Sequence, residues 1–386
     1  MNKAFFYLAV VCTSASTVWS QPAEPFSASM NACLDQTLAL NEQNAACAVV
    51  LDNDDVADDH KANMLVSRTE VLIYESELGE ALVSYLTAIN LDPQNDAARE
   101  GLRLLNRVVF EMLDEDPDKV IEYANRGLYI DPENSRLVAL RGDAQVHLGN
   151  VEDGLRDINR AMELDLFPHL YQLKRAEINF ELGRFDDAHS DLFFIIDDSS
   201  SSGTLERKVR AELSSASGIE AERLTVWLNA VPILLGKALN LQVVTHIELG
   251  DRPAAIDASI ELAELEPENT ANLRLLGALL VLTSRLDEAL AVLDEAIRLA
   301  RAREQGDTNT ELVTALKQRS GLYSRLDQND LALADLEEVI AKSPVAEIEA
   351  FQAALSELGF YDEDINGEYD EATRSATITC LQQNAC

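Results

Sequence analysis

Apolar and small residues recur along most of this chain with helical spacing, and the pattern repeats with a period of 34 residues. Ala81, Tyr85, Ala88 and Pro93 mark the phase of one unit. Units in the same phase start near residues 62, 101, 135, 169, 236, 270 and 313, and the gap between 169 and 236 leaves room for a degenerate unit near 202. A fixed period of this length is typical of stacked supersecondary units.

Within a unit the pattern predicts two antiparallel helices. Small residues fall at the eighth and twentieth positions, as in Gly142 and Gly154, where the two helices would approach closely. Gly149, Gly183 and Gly250 fall at the fifteenth position, where the first helix must end and the chain turn back. The predicted fold is therefore all-α, a solenoid of about seven to eight helical pairs.

The period and the small-residue phase resemble the tetratricopeptide repeat family over residues 62–343. That resemblance implies a concave face, lined by first helices, that holds peptides or segments of proteins. In the family's peptide-carboxylate clamp, Lys and Asn recur on first helices, but the fifth and ninth positions of the first unit are Val66 and Glu70. A clamp of that kind is not expected here.

Basic residues recur at the seventh position of four units: Arg68, Arg141, Arg175 and Arg319. They are candidates for a basic row on the concave face. The alternative is that they pair with acidic neighbours such as Asp143 or Glu177 and have a structural role.

The N-terminus has the pattern of a secretion signal, with Lys3 followed by an apolar run over 4–11. Cleavage near residue 20 would send the protein to the periplasm. The predicted divisions are a signal peptide (1–20), a helical hairpin with an acidic linker (21–61), repeats (62–196), an irregular loop with a degenerate repeat (197–235), repeats (236–343) and a C-terminal module (344–386).

No other apolar stretch is expected to cross a membrane, because the best candidate, 273–282, is short and contains Arg274. Acidic residues outnumber basic ones by 68 to 31, which gives a net charge of −37. Nucleic acid and anionic lipid are therefore disfavoured as partners.

The cysteines predict disulfides. Removal of the signal with Cys12 leaves four, an even number in an exported chain. The spacing favours two local pairs, Cys33 with Cys47 and Cys380 with Cys386, among the three connectivities that are possible.

From residue 344 the pattern changes. Gln352, Leu355, a Leu-Gly-Phe-Tyr run at 358–361, an Ile-Asn-Gly run at 365–367 and Thr373 follow in order. This order resembles the peptidoglycan-binding-domain-like family, which implies a three-helix module that binds the cell wall. The positions that would then hold the ligand are Tyr361, Gly367, Tyr369, Thr373 and Arg374. In the alternative interpretation Tyr361 and Tyr369 belong to the core and Thr373 is a helix N-cap.

No pattern indicates catalysis, a cofactor or a metal site. The five histidines are scattered, and the calcium-like run that begins at Asp362 has Thr373 where a bidentate Glu would be needed. The sequence predicts a non-catalytic periplasmic scaffold that binds a protein or peptide of the cell envelope and is tethered to peptidoglycan. Alternatively, the C-terminal module is only a structural cap or a protein contact, or the chain is a regulatory subunit of a wall hydrolase.

Overall fold

The computed structural model describes residues 24–35, 37–74, 76–199, 204–303, 310–383 and 385. These residues form nineteen α-helices and no β-strand. The predicted all-α helical-repeat fold is therefore confirmed. The predicted signal peptide, residues 1–20, lies outside the described residues.

The chain divides into two compact units between Leu166 and Phe167. The boundary falls inside the predicted repeat block 62–196. The helices of the first unit are α1 (Glu24–Cys33), α2 (Leu40–Leu51), α3 (Asp58–Tyr74), α4 (Leu78–Leu91), α5 (Asp96–Glu111), α6 (Pro117–Ile130), α7 (Ser135–His147) and α8 (Val151–Leu164).

The second unit contains the other eleven described helices. They are α9 (His169–Glu181), α10 (Phe185–Ser199), α11 (Thr204–Ser215), α12 (Gly218–Glu248), α13 (Arg252–Leu265), α14 (Thr270–Leu282), α15 (Leu286–Ala302), α16 (Thr310–Arg325), α17 (Asn329–Lys342), α18 (Val345–Glu357) and α19 (Glu371–Gln382).

The helix boundaries follow the 34-residue phase. The second helix begins at the seventeenth position of every unit, from Leu78 in α4 to Asn329 in α17. The fifteenth position lies in the left-handed region in most units, where glycine is favoured. Gly149, Gly183 and Gly250 fill it in three units, and Ser76, Ser284 and Asp327 adopt the same conformation in three others.

The small residues allow close contact between paired helices. A Cβ atom built on Gly142 in α7 would lie 2.8 Å from the carbonyl oxygen of Gly154 in α8. A Cβ on Gly154 would lie 2.6 Å from the carbonyl oxygen of Gly142. Real Cβ atoms do not approach so closely, so any side chain at either position would force α7 and α8 apart.

The predicted N-terminal hairpin is formed by α1 and α2. A disulfide joins Cys33 to Cys47, with the two Cα atoms 4.7 Å apart. Cys380 is also disulfide-bonded, and its predicted partner, Cys386, lies outside the described residues.

The segment 197–235 is more helical than its sequence predicted. It contains α11 and the first half of α12, and residues 200–203 lie outside the described residues. The start of α12 at Gly218 matches the second helix of a degenerate unit near 202. The helix then continues without a turn into the first helix of the next unit, so two predicted repeat helices form one helix of 31 residues.

This fusion also corrects the membrane prediction. Leu224–Glu248, within α12, is long enough and apolar enough to cross a membrane, with a mean hydropathy of 1.4. The expectation that no such stretch exists was wrong, because two repeat helices contribute their apolar faces in succession. Here α12 packs against α10, α11 and α13, and its Leu224, Val231 and Leu234 are buried in the core.

The C-terminal segment, residues 344–386, differs from the three-helix module that the resemblance implied. Its described part contains two helices, α18 and α19, joined by an irregular connection over 358–370. Gly359 and Gly367 take left-handed conformations in that connection, with φ of +79° and +70°. These turns interrupt the helical backbone where a middle helix would lie.

Candidate peptide-binding groove

The seventh-position arginines are tied into the helical hairpins. In Arg141, Nε and Nη2 donate to the two carboxylate oxygens of Asp157 at 2.7 and 2.8 Å, and Nη1 donates to Asn125 at 2.9 Å. In Arg319, Nε and Nη2 donate to Asp335 at 2.8 and 2.6 Å, and Nη1 donates to Asp294 at 2.7 Å. Two parallel hydrogen bonds to one carboxylate are the strongest geometry available to arginine.

Arg175 makes the same pair with Asp191, at 2.8 and 2.5 Å. In all three cases the aspartate lies sixteen residues after the arginine, on the second helix of the same hairpin. Hydrogen bonding to the carboxylate raises the pKa of each of these guanidinium groups. The partners differ from the neighbours named from the sequence, Asp143 and Glu177.

Arg68 has neutral partners instead. It is 5% exposed and donates to Ser84 Oγ at 3.3 Å and to Asn44 Oδ1. Burial lowers the pKa of this guanidinium group. All four arginines are therefore held by groups of the protein itself, and no open basic row results from them.

In the second unit, an open surface lies between α14 and α16, and neither Arg175 nor Arg319 belongs to it. A cavity of about 330 Å³ separates these two first helices. Its lining residues are Gly277, Ala278, Val281, Leu282, Leu293, Lys317, Gln318, Gly321, Leu322 and Arg325.

A second cavity, of about 290 Å³, lies between α16, α17 and the C-terminal segment. Its lining residues are Lys317, Ser320, Gly321, Leu336, Phe351, Ala354, Leu355, Leu358, Leu381 and Ala385. The two cavities share Lys317 and Gly321 and therefore adjoin along α16. Together they form one groove, referred to below as the α14–α16 groove.

The floor of this groove is formed largely by small and apolar residues. A Cβ atom on Gly321 would meet nothing within 4 Å, so there is open space above the helix at that position. Leu282 and Leu358 are 59% and 53% exposed. Leu282 lines the first cavity and Leu358 the second, and a concave surface lined mainly by apolar side chains is the usual form of a binding pocket.

The wall-binding candidates are largely part of the interior. Tyr361 is 2% exposed, and its hydroxyl donates to the carbonyl oxygen of Asp364 at 3.1 Å. Thr373 is fully buried, and its N–H and hydroxyl donate to Asp370 Oδ1 at 2.8 and 2.9 Å. Asp370, rather than Thr373, is the N-cap of α19.

Two of the other three candidates, Gly367 and Arg374, also have structural contacts. Gly367 is buried, and its N–H donates to Gln352 Oε1 at 2.9 Å. Arg374 Nε donates to Glu337 Oε1 of α17 at 2.8 Å. Tyr369 is partly buried, and this burial raises the pKa of its hydroxyl.

Gln352 organises the C-terminal segment, a role that sequence reasoning missed. Its side chain is fully buried, and its Oε1 accepts from the backbone N–H groups of Asn366 and Gly367 at 3.0 and 2.9 Å. Its Nε2 lies within 3.0 Å of Asn366 Oδ1, Thr373 Oγ1 and the carbonyl oxygen of Glu368. One amide thus joins α18, the connection and α19.

The C-terminal segment rests on the last repeat hairpin. Leu381 of α19 is 2% exposed and packs with Ala332 and Leu333 of α17. The Arg374–Glu337 ion pair bridges the same two helices. This arrangement covers the end of the hairpin, as a cap does in a repeat protein.

Two histidines that are far apart in the sequence, His189 and His246, lie next to each other in the second unit. Gln242 Nε2 lies 2.9 Å from His189 Nδ1 and 3.0 Å from His246 Nε2. Burial lowers the pKa of His246, with a smaller contribution from His189. Among the described residues, no group of three or more His, Cys, Asp or Glu side chains is placed to hold a metal ion.

No family model and no curated protein matches the chain. Similar solved structures include the MamA protein, with 15% identity and a TM-score of 0.35 over 52% of this chain and 96% of MamA. BtubC (BKLC) from P. vanneervenii has 14% identity and a TM-score of 0.44 over 66% of this chain and 94% of its own.

A tetratricopeptide repeat protein from Parabacteroides merdae ATCC 43184 has 12% identity and a TM-score of 0.37, over 84% of this chain and 98% of its own. These likenesses concern the helical fold and give no information about a partner.

Proposed function

We propose that this chain is a non-catalytic scaffold whose helical repeats hold a segment of a protein partner. The observation that carries the proposal is the α14–α16 groove, which has a largely apolar lining and an exposed leucine in each of its two cavities. A groove with this lining binds a ligand by covering its apolar surface.

Site-specific photocrosslinking in cells tests this proposal. A photoreactive phenylalanine analogue replaces Leu282 at the groove in one variant and Ala291, which is exposed on α15, in the matched control. We expect Leu282 to give a defined adduct with a protein and Ala291 to give none. Identical adducts at both positions, or none at either, would contradict the scaffold function.

The C-terminal segment is proposed to act as a structural cap of the last hairpin. Tyr361, Gly367 and Thr373 are buried, and Arg374 is engaged by Glu337, which supports this role. The competing proposal, tethering to peptidoglycan, is supported by the left-handed Gly359 and Gly367, which agree with the sequence pattern of the wall-binding family.

Co-sedimentation with purified sacculi separates the two proposals. A cap predicts that the full chain stays in the supernatant. A tether predicts that the full chain is retained on the sacculi and that retention is lost when residues 345–386 are deleted. Retention of the full chain but not of the deletion variant would therefore support the tether and contradict the cap.

We also propose that the chain is exported to the periplasm. The Lys3 and apolar 4–11 pattern supports export, and the Cys33–Cys47 disulfide supports an oxidising compartment. Alkylation of thiols in fractionated cells tests this. Protected cysteines in the periplasmic fraction are expected, whereas a protein with reactive thiols in the cytoplasmic fraction would contradict export.

A further inference from the structure

Resting on the proposed scaffold function, we propose that the α14–α16 groove takes an acidic, amphipathic peptide segment. A large apolar side chain of that segment fills the space above Gly321 and Ala278. Carboxylates on either side of it pair with Lys317 and Arg325.

The charge of the groove differs from that of the rest of the chain. Of the 386 residues, 68 are acidic and 31 basic. The two cavities have eighteen different lining residues, since each has ten and two are shared, and none of these is Asp or Glu. The charged members are Lys317 and Arg325, so the lining is cationic within a strongly anionic protein.

The spacing of the two cations suits a peptide. Lys317, Gly321 and Arg325 follow each other at intervals of four residues and lie on one side of α16. Eight residues of helix separate the cations by about 12 Å along the axis. That length corresponds to roughly four residues of extended peptide or two turns of a helical one, with room for one apolar side chain in the middle.

Both cations are available to a ligand. Arg325 is exposed and forms no ion pair with any described residue. Lys317 is 53% exposed and has one partner, Glu347, at 3.8 Å. Arg319, which lies between them in sequence, is 15% exposed and engaged by Asp335 and Asp294. Charge complementarity at such open positions sets which partner is accepted.

Binding of three fluorescein-labelled peptides to the full chain tests the proposal by anisotropy. The peptides share a central Leu-Phe pair and have flanking residues that are all Glu, all Gln or all Lys. We expect affinity to fall from the Glu to the Gln to the Lys peptide by about tenfold at each step in low salt, and the differences to shrink as salt is added.

Two variants and a control locate the site. The double variant Lys317→Glu/Arg325→Glu should reverse the order of the peptides. Gly321→Leu should fold, because leucine favours helix more than glycine does, and should bind all three peptides about tenfold more weakly by filling the space. Arg252→Glu, exposed at the start of α13, should leave every affinity unchanged.

Equal affinity for the Glu and Gln peptides, or an unchanged order in the double variant, would overturn the acidic specificity. If the Gln or Lys peptide binds best and Gly321→Leu still weakens binding about tenfold, the scaffold function survives and the charge assignment fails. If no peptide binds, this proposal is overturned, and the crosslinking experiment at Leu282 then decides separately on the scaffold function.

Discussion

On one helix, α16, Arg319 is held in an ion pair within the hairpin, whereas Lys317 and Arg325 are open to a ligand. Arg319 points to the second helix of its own hairpin, where Asp335 takes two of its N–H groups. Lys317 and Arg325 lie two residues before and six after it and face the groove. Residue type alone does not distinguish the two sets, because all three are basic residues on an exposed amphipathic helix.

The difference is set by position within the hairpin. The seventh position of a unit faces the twenty-third, and Arg141, Arg175 and Arg319 each find an aspartate there. In the last unit, the fifth and thirteenth positions, Lys317 and Arg325, line the cavities of the groove instead. A polar group is therefore structural where the hairpin closes over it and available to a ligand where the groove opens.

The largest effect is expected from breaking the closed pair in α16. Arg319→Met leaves Asp335, whose side chain is 7% exposed, as an uncompensated buried charge. The free energy of unfolding of the second unit should fall by about 3 kcal/mol in chemical denaturation. The double variant Arg319→Met/Asp335→Leu should recover most of it, and a loss of less than about 1 kcal/mol in the single variant would show that the pair is not structural.

The next largest loss of stability is expected from removing a buried neutral group, the side-chain amide of Gln352. Gln352→Met keeps the side-chain volume but removes the acceptor of the Asn366 and Gly367 N–H groups. Stability should fall by about 2 kcal/mol, and those two amides should exchange faster with deuterium. Gln382→Met, at an exposed position near the end of α19, is the control and should change neither quantity.

A smaller effect is expected from pH. The pKa values of His246 and His169 are lowered mainly by burial, so the folded state favours the neutral imidazoles. The stability that these neutral histidines contribute is fully present above pH 6.5, the pKa of histidine in the unfolded chain. It is lost as the pH falls below 6.5 and through the lower pKa values of the folded state. His189 and Asp251 act on His246 in opposite directions, and Asp198 and Lys208 do so on His169.

His246→Asn should therefore lose less stability than the wild type between pH 7.5 and about 5.5 in thermal unfolding. Parallel profiles for wild type and His246→Asn would show that burial of this histidine contributes nothing to the pH response.

The smallest effect on stability should come from the open cations. Lys317→Ala and Arg325→Ala should each change the free energy of unfolding by less than about 0.5 kcal/mol, because neither has a close buried partner. Each should still weaken binding of the Glu-flanked peptide several-fold. A destabilisation comparable to that of Arg319→Met would remove the distinction between open and closed positions.

The repeat period predicted more of the fold than of the site. The period placed the start of the second helix in each unit. This was possible because the small residues at the eighth and twentieth positions and the turn at the fifteenth are local requirements of a helical hairpin. It did not foresee Ser76, Ser284 and Asp327 in left-handed turns, since the neighbouring helices hold residues there that have no strong preference for that conformation.

The site was less predictable. The seventh-position arginines recur along the chain, but in three of the four units the recurrence reflects an ion pair within the hairpin. No sequence pattern marks Lys317 and Arg325, because what distinguishes them is that they line two cavities whose lining contains no Asp or Glu. The hydrogen bonds of Gln352 and the His189–His246 contact join residues that are distant in sequence, so no local pattern marks them.

By itself the sequence determined the all-α class and the hairpin period, and it favoured the Cys33–Cys47 pair among three connectivities, since each depends on spacing along the chain. Only the tertiary structure decided that α12 is one helix, that 344–386 contains two described helices packed on α17, and which cations remain open. Those outcomes depend on which side chains meet across helices, and burial and ion pairing between distant residues are set by packing rather than by local pattern.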